Sequence, residues 1–429
     1  MDENLLLANY PEPFEGGGSL TKDLTNFIAM ARWVAAVAVL VGHAGVLINI
    51  SDIMVAPHGP GVYAWWFLSA FSHQAVLVFF VISGFLIGGP LLRDRARAEP
   101  YLGSYFADRF SRIYIVMIPA LLWTFAIDTV GRAVFPATGV YDAPFFASVF
   151  EPIQYLWTLL QQQHLWAAQA GTNGPLWSLA CEMWYYITFP LLLAPFCSAY
   201  SRFWRFSGLG LGVVLVAVLA TPELMAASGV DVGARGLMPM LNNGVGMFLF
   251  GYGVWALGAL VRVAPRPVVG SIWIALGLFL AALAVTRLAV RGPILAAHPW
   301  LSAVGDFSVV ASFATLLLAL RHAPPGGFFS RLGPIHWRLS DFSYSLYATH
   351  APLVFFVWAA VGGLFGREWF KQLPTPAHWI TVAGLMLVGL VFAYAFSRVT
   401  ESRTKELRDF LRTARVPLFR RAAAVRAVD

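Results

Sequence analysis

The run Arg32–Ile50, RWVAAVAVLVGHAGVLINI, is apolar apart from Arg32 and His43. An ionisable side chain inside a bilayer is costly, so it usually faces protein or water and marks a site. Eleven residues of α-helix turn through about 1100°, three turns plus roughly 20°, and rise about 16 Å. Arg32 and His43 therefore share one helix face: a cation near one membrane surface and a titratable base deep inside. The plainer alternative is a snorkelling arginine and a satisfied interior histidine.

Around this run the 429-residue chain keeps the same character, 59% apolar, 15% aromatic and 12% charged. That charged share is about half the average of soluble proteins. Apolar runs near 20 residues match the hydrocarbon thickness of a bilayer, and about ten can be marked. They fall near 27–50, 66–92, 113–131, 176–200, 207–227, 239–261, 268–288, 303–321, 343–365 and 377–397. The expected fold class is all-α, a polytopic transmembrane helix bundle. Residues 1–26 read as a short, mostly polar N-terminal tail and 27–397 as the transmembrane domain. Residues 398–429 read as a basic C-terminal tail, an amphipathic helix lying against an anionic leaflet. The first 26 residues carry acidic residues, two prolines and three consecutive glycines rather than a basic stretch and an apolar core, so no cleaved signal is expected.

An even number of spans puts both termini on one side. That side then holds 22 of the 29 lysines and arginines, the other holds six, and Arg32 lies within a span. The asymmetry places both termini in the cytoplasm. Because the basic residues collect at helix ends and in the tail, the net charge of +7 does not argue for a nucleic-acid partner. Cys181 and Cys197 fall in one expected span, about 24 Å apart along a helix, too far to bridge. No zinc-ligand spacing, Walker loop or dinucleotide fingerprint is found, so neither a metal nor a permanently bound cofactor is expected.

With that orientation, depths can be compared. His43 lies seven residues short of the outer end of the first span, and Glu182 six residues into the inward-running fourth, both roughly 9–11 Å below the outer surface. They are expected to be partners, the carboxylate orienting the imidazole and supporting its cation; the alternative is a pair that only joins two helices. Ser178 precedes Glu182 by four residues and shares its face. Trp177, Trp184, Tyr185 and Tyr186 line a sugar site or form an interfacial belt. In ADRFSRIY, Arg109 and Arg112 are expected at the start of a cytoplasmic-side helix. There the guanidinium forks and the helix N-terminus suit phosphate, unless these are ordinary positive-inside residues. Ser83 and Gly84 in FFVISGFL (79–86) allow either close helix approach or room for a slender ligand. Tyr344, Tyr347 and His350 recur at three-residue intervals as a polar stripe in the inner half of the ninth span, with Asp341 and Glu401 flanking the cytoplasmic face. Asp306 falls near the outer end of the eighth span. The seven remaining histidines, His73 among them, are assigned no role. The 132–175 segment, the longest on the outer side, roofs an acceptor site or merely connects.

Together these pieces resemble the acyltransferase-3 family of integral membrane O-acyltransferases over residues 27–401. The resemblance rests on Arg32 with His43 eleven residues on, FFVISGFL, Arg109-x-x-Arg112 before Ile113-Tyr114, LWSLACE at 176–182 and SYSLYATH at 343–350. It departs from the family pattern at Ile115, where proline is usual, and at Met183, where a second glutamate is usual. The resemblance implies transfer of an acyl group, commonly acetyl, from cytoplasmic acyl-CoA to a hydroxyl of an extracytoplasmic glycan or lipid-linked sugar. It also implies residence in a bacterial inner membrane.

On that reading Arg109, Arg112, Ser83 and Gly84 hold acyl-CoA, and its arm threads past Arg32. His43 is the general base, Glu182 orients it, and Arg32 completes the catalytic set. Ser178, Trp177, Tyr344, Tyr347 and His350 are acceptor or oxyanion candidates. A covalent acyl-His43 intermediate is the other route. The alternatives outside this chemistry are a proton-coupled transporter or exporter using His43 and Glu182 as a relay, and a scaffold without catalysis.

Overall fold

The computed structural model describes residues 20–48, 58–227, 247–289, 292–298, 300–324 and 327–413. Among these the chain is helical apart from turns and loops, with one isolated bridge between Gln163 and Ala167. Helix α1 (Lys22–His43) is capped by Thr21, whose hydroxyl accepts the Leu24 N–H at 3.3 Å, with Asp23 in the first turn complementing the helix dipole. A short 3-10 turn carries it on to Leu47. Helix α2 (Pro60–Leu68) and α3 (Ser72–Ser83) follow. A π-helical turn, Gly84–Gly88, joins α3 to α4 (Gly89–Arg93). Then come α5 (Leu102–Val134), α6 (Pro152–Leu159), α7 (Trp177–Leu192), α8 (Arg202–Ala227), α9 (Met247–Val263) and α10 (Ile272–Leu288). The chain continues through α11 (Gly292–Ala297), α12 (Trp300–Arg321), α13 (Gly333–Ser340), α14 (Ser343–Phe365), α15 (Pro376–Val399) and α16 (Thr404–Thr413).

Eight helical stretches are long and apolar enough to cross a bilayer, among them Lys22–Leu47, Pro60–Arg93, Leu102–Val134 and Ser343–Phe365. Two expected spans, 239–261 and 268–288, meet the shorter apolar helices α9 and α10, residues 239–246 of the first lying outside the described residues. Large apolar side chains face outward along the long helices, as Leu122 and Phe125 do on α5 and Leu387 and Val391 on α15. The protein is a polytopic α-helical membrane bundle.

Three contacts hold α13 and the first turns of α14 against α1. Trp337 Nε1 donates to Asn26 Oδ1 at 2.9 Å, Trp33 Nε1 donates to His336 Nδ1 at 3.2 Å, and His350 meets His43. On the other side of α1, the α3–α4 stretch lies close against α9. A Cβ at Gly84 would overlap the Trp255 carbonyl, and one at Gly258 the Val81 carbonyl. Small residues here let two backbones touch, which drives helix association where lipid supplies no hydrophobic force. Of the two readings of the Ser83–Gly84 pair, close approach is therefore the one realised at Gly84.

Some boundaries differ from the sequence reading. The third span starts at Leu102, so Arg109 and Arg112 lie in the second and third turns of a 33-residue helix rather than at its N-terminus. The stretch before them is helical because Tyr105, Phe106 and Ala107 are buried in the bundle and Asp108 is held by an arginine of α16. The helix dipole therefore lends these arginines nothing. The fourth span ends at Leu192, and Cys197 ends a separate 3-10 turn; both cysteines are buried and neither forms a disulfide. Residues 135–176 fold onto the bundle, and Gln161, Gln163, Thr172 and Asn173 are buried. Residues 1–19 and 414–429, which include most of the expected N-terminal tail and much of the C-terminal one, lie outside the described residues.

Candidate active site

His43 ends α1, where its ring meets α14. His350 Nδ1 lies 2.8 Å from the Tyr347 carbonyl and 3.1 Å from that of Leu346. Carbonyl oxygens only accept, so Nδ1 carries the proton and Nε2 keeps the lone pair. That Nε2 is 3.0 Å from His43 Nδ1, which is also 3.0 Å from the Val39 carbonyl. His43 Nδ1 is accordingly an N–H, and its Nε2 holds a lone pair with no hydrogen bond among the described residues. These tautomers are assigned from the acceptors around each ring. His350 is 1% exposed, and His43 is only partly buried.

The expected partnership of His43 with Glu182 is replaced. Glu182 accepts from Tyr186 Oη at 2.5 Å and lies within electrostatic reach of Arg32. Depth explains the difference. Ser178, one turn from Glu182, donates to Tyr347 Oη at 2.6 Å, and Tyr347 donates to the Pro175 carbonyl at 2.8 Å. Tyr347 also contacts the His350 ring, with centroids 6.0 Å apart. The histidine pair thus sits level with Ser178, and Glu182 lies one turn further along α7. His350, expected on a polar stripe in the inner half of the membrane, is the residue that meets His43.

Three residues on one face of α7 form a ladder. Ser178, Glu182 and Tyr186 stand at four-residue intervals, spanning about 12 Å. Its far rung reaches the paired arginines, since Arg109 lies over the Tyr186 and Tyr105 rings, 5.9 Å from each centroid. Tyr186 Oη is also 3.0 Å from Ser83 Oγ, which accepts from Trp255 Nε1 at 2.9 Å. Ser83 therefore braces the ladder rather than opening a channel. Tyr344, on the parallel stripe of α14, donates to the Ile113 carbonyl at 3.2 Å. Trp177 is buried and packs edge-on against Phe80, so it presents no face to a sugar; Tyr185 and Tyr186 are likewise core residues rather than an interfacial belt.

Arg32, buried on α1, pairs with Glu401 at 3.9 Å, and Glu401 in turn accepts from the Ser345 N–H and hydroxyl at 3.2 and 3.0 Å. Glu401 is thus drawn into the bundle instead of flanking it. Near Arg32, burial pushes the Asp341 carboxyl above the usual range, against the pull of Arg32 and Arg398.

The sequence reading did not single out the anchorage of the outer segment. Asp128, inside α5, accepts from the Thr172 N–H at 2.8 Å and hydroxyl at 2.7 Å. Asn173 donates to Thr124 Oγ1 and to the Ala348 carbonyl, both at 2.9 Å, beside the histidine pair. An aspartate in the apolar run LLWTFAIDTV was the available signal. At the end of the same helix a cavity of about 380 Å³ is lined by Thr129, Arg132, Phe135, Tyr141 and Asp142. His73, assigned no role, hydrogen-bonds Asp306 at 2.8 Å.

Comparison with known proteins bears on this geometry. A family model described as an acyltransferase domain, Acyl_transf_3, matches residues 25–398. The chain is similar to Nodulation protein 10 of Rhizobium leguminosarum bv. viciae, 25% identical over 386 residues that cover 84% of this chain and 90% of that protein. It is also similar to Acyltransferase MdmB of Streptomyces mycarofaciens, 24% identical over 346 residues, 79% of this chain and 81% of that one. No solved structure matches.

Proposed function

This chain belongs to the acyltransferase-3 family, and from that premise we propose that it moves an acyl group from acyl-CoA at the cytoplasmic face of a bacterial inner membrane to a hydroxyl of a glycan or lipid-linked sugar on the other side. Acetyl-CoA is the simplest donor. Family membership favours an enzyme over the exporter and scaffold alternatives.

The observation that carries the reading is a histidine whose Nε2 keeps its lone pair at one end of the α7 ladder, with Arg109 and Arg112 at the other. The arginine forks suit the phosphates of CoA. The pantetheine arm then runs along Tyr186, Glu182 and Ser178 towards the histidine pair. His43 Nε2 takes the proton of the acceptor hydroxyl as its oxygen attacks the thioester carbonyl. The tetrahedral intermediate collapses to the ester, expelling the CoA thiolate, which receives that proton from His43. The charge on His43 during this exchange is shared through Nδ1–H with His350 Nε2. Ser178 and Tyr347 Oη, joined to each other beside His350, serve the oxyanion once a hydroxyl turns away from its present acceptor. Glu182 and Glu401 offset the cation of Arg32 midway along the path, where an isolated charge is costly.

The acceptor approaches from the other end of α5. Arg109 and Arg132 are 23 residues apart, about 35 Å along the helix, close to a bilayer thickness. The cavity at Arg132 is the place for a sugar, and Asp128 and Asn173 connect its wall to Ala348. The test is thioester consumption by purified protein with acetyl-CoA, a glycan or lipid extract and free-thiol detection. Folded His43→Ala is expected to lose at least a hundredfold in rate. A folded His43→Ala protein that turns over at the wild-type rate removes the base from the mechanism.

A further inference from the structure

Helix α16 lies beyond residue 398, where the family match ends. It was expected to rest on a lipid surface; Lys405 is exposed, and two of its cations, Arg408 and Arg412, meet protein. Arg412 Nη2 donates to Asp108 Oδ1 at 2.8 Å, and Arg408 Nε is 3.8 Å from the same oxygen. Arg408 is only 7% exposed. Asp108 immediately precedes Arg109 in the chain and precedes Arg112 by four residues, so the carboxylate that holds two arginines of α16 lies on the same stretch of α5 as two more. The other acid in reach, Asp409 at 3.9 Å from Arg408, is itself exposed. Positive charge is left in surplus. The Nε–H groups of Arg109, Arg408 and Arg412 are all buried, with no hydrogen-bond acceptor among the described residues. Buried donors without acceptors are unfavourable, and Asp108 Oδ1 is already shared by two arginines. A phosphate brings up to two charges and three acceptor oxygens in the geometry that guanidinium groups match.

We propose that Arg408 and Arg412 form, with Arg109 and Arg112, the wall of a phosphate site that receives the head of the acyl-CoA donor, Asp108 holding the α16 arginines in place until it binds. This rests on acyl-CoA being the donor. Anionic lipid headgroups carry the same phosphate chemistry, so the experiment separates the two sources.

Full-length wild type, Arg412→Gln and, as a control at an exposed cation outside the cluster, Arg403→Gln are compared in neutral detergent with acetyl-CoA and with the phosphate-free donor S-acetylpantetheine. Arg412 is chosen because it is less buried than Arg408. Arg412→Gln is expected to raise KM for acetyl-CoA about tenfold with kcat retained, the loss of one charge-assisted hydrogen bond. Its preference for acetyl-CoA over S-acetylpantetheine falls by the same factor, while Arg403→Gln keeps the wild-type preference. Equal losses on both donors make α16 a structural clamp and overturn the proposal. A loss seen only in anionic vesicles, and not in detergent, assigns the arginines to lipid and overturns it too. If wild type consumes no thioester, the transferase reading fails separately, and calorimetric titration with CoA still decides. Tenfold weaker binding to Arg412→Gln supports the wall, and equal binding or none to wild type overturns it.

Discussion

An imidazole in a membrane interior can take a proton only if one nitrogen keeps its lone pair and the other is held as N–H. Here main-chain carbonyls set both rings, Leu346 and Tyr347 on His350 and Val39 on His43, without a charge beside them. His350→Phe removes the acceptor for His43 Nδ1–H and is expected to lower kcat roughly tenfold or more. His350→Gln, whose amide oxygen can accept, keeps part of the rate. Turnover by two variants with wild-type melting curves checks this, and a Phe variant at full rate would dismiss the relay. Arg32 presents the opposite problem, a charge that must be offset. Glu401→Gln removes its salt-bridge partner and is expected to cost roughly 2 kcal/mol, below the loss for an isolated buried pair because Asp341 and Glu182 stay in reach. Chemical or thermal unfolding in detergent reads that loss. Arg32 and His43 were legible because ionisable residues stand out in an apolar run. Glu182 was given the wrong neighbour because depth was counted from the ends of apolar runs. In the bundle α1 begins at Lys22, and α13 lies beside its first turns, which brings His350 up to His43.

At the scale of elements, small residues and ladders do the positioning. Gly84 sits in a π-helical turn with its α-carbon against the Trp255 main chain, and that contact sets where Ser83 can brace Tyr186. Gly84→Ala must push backbone from backbone, so a cost of about 1–3 kcal/mol and a lower folded yield are expected. An alanine variant that melts with wild type would mean that the two helices tolerate separation, and the bracing argument would lapse. The α7 face was readable from the spacing of Ser178 and Glu182, and Tyr186 extends it by the same interval. The early start of α5 was not readable. Arg109 and Arg112 look like loop residues in a hydropathy profile, and what makes that stretch helical is burial of Tyr105 and Phe106 and the pairing of Asp108 across 304 residues of sequence.

For the whole molecule the question is direction, because a donor in the cytoplasm and an acceptor outside require the two ends of α5 to face opposite compartments. The proposed direction puts the Arg109 end, with α16 packed on it, in the cytoplasm and the Arg132 cavity on the other side, the arrangement the charge asymmetry favours. The two native cysteines are buried, so the wild-type background towards a thiol reagent is low. Asp142 at the cavity and Glu406 on α16 are exposed and suit single cysteine substitutions. A membrane-impermeant maleimide added to intact bacterial cells, or to spheroplasts where an outer membrane blocks it, is expected to label Asp142→Cys and spare Glu406→Cys. After permeabilisation both label. The reverse pattern would invert the bundle, put the arginine cluster out of reach of cytoplasmic CoA, and end the proposed direction of transfer even if His43 proved essential.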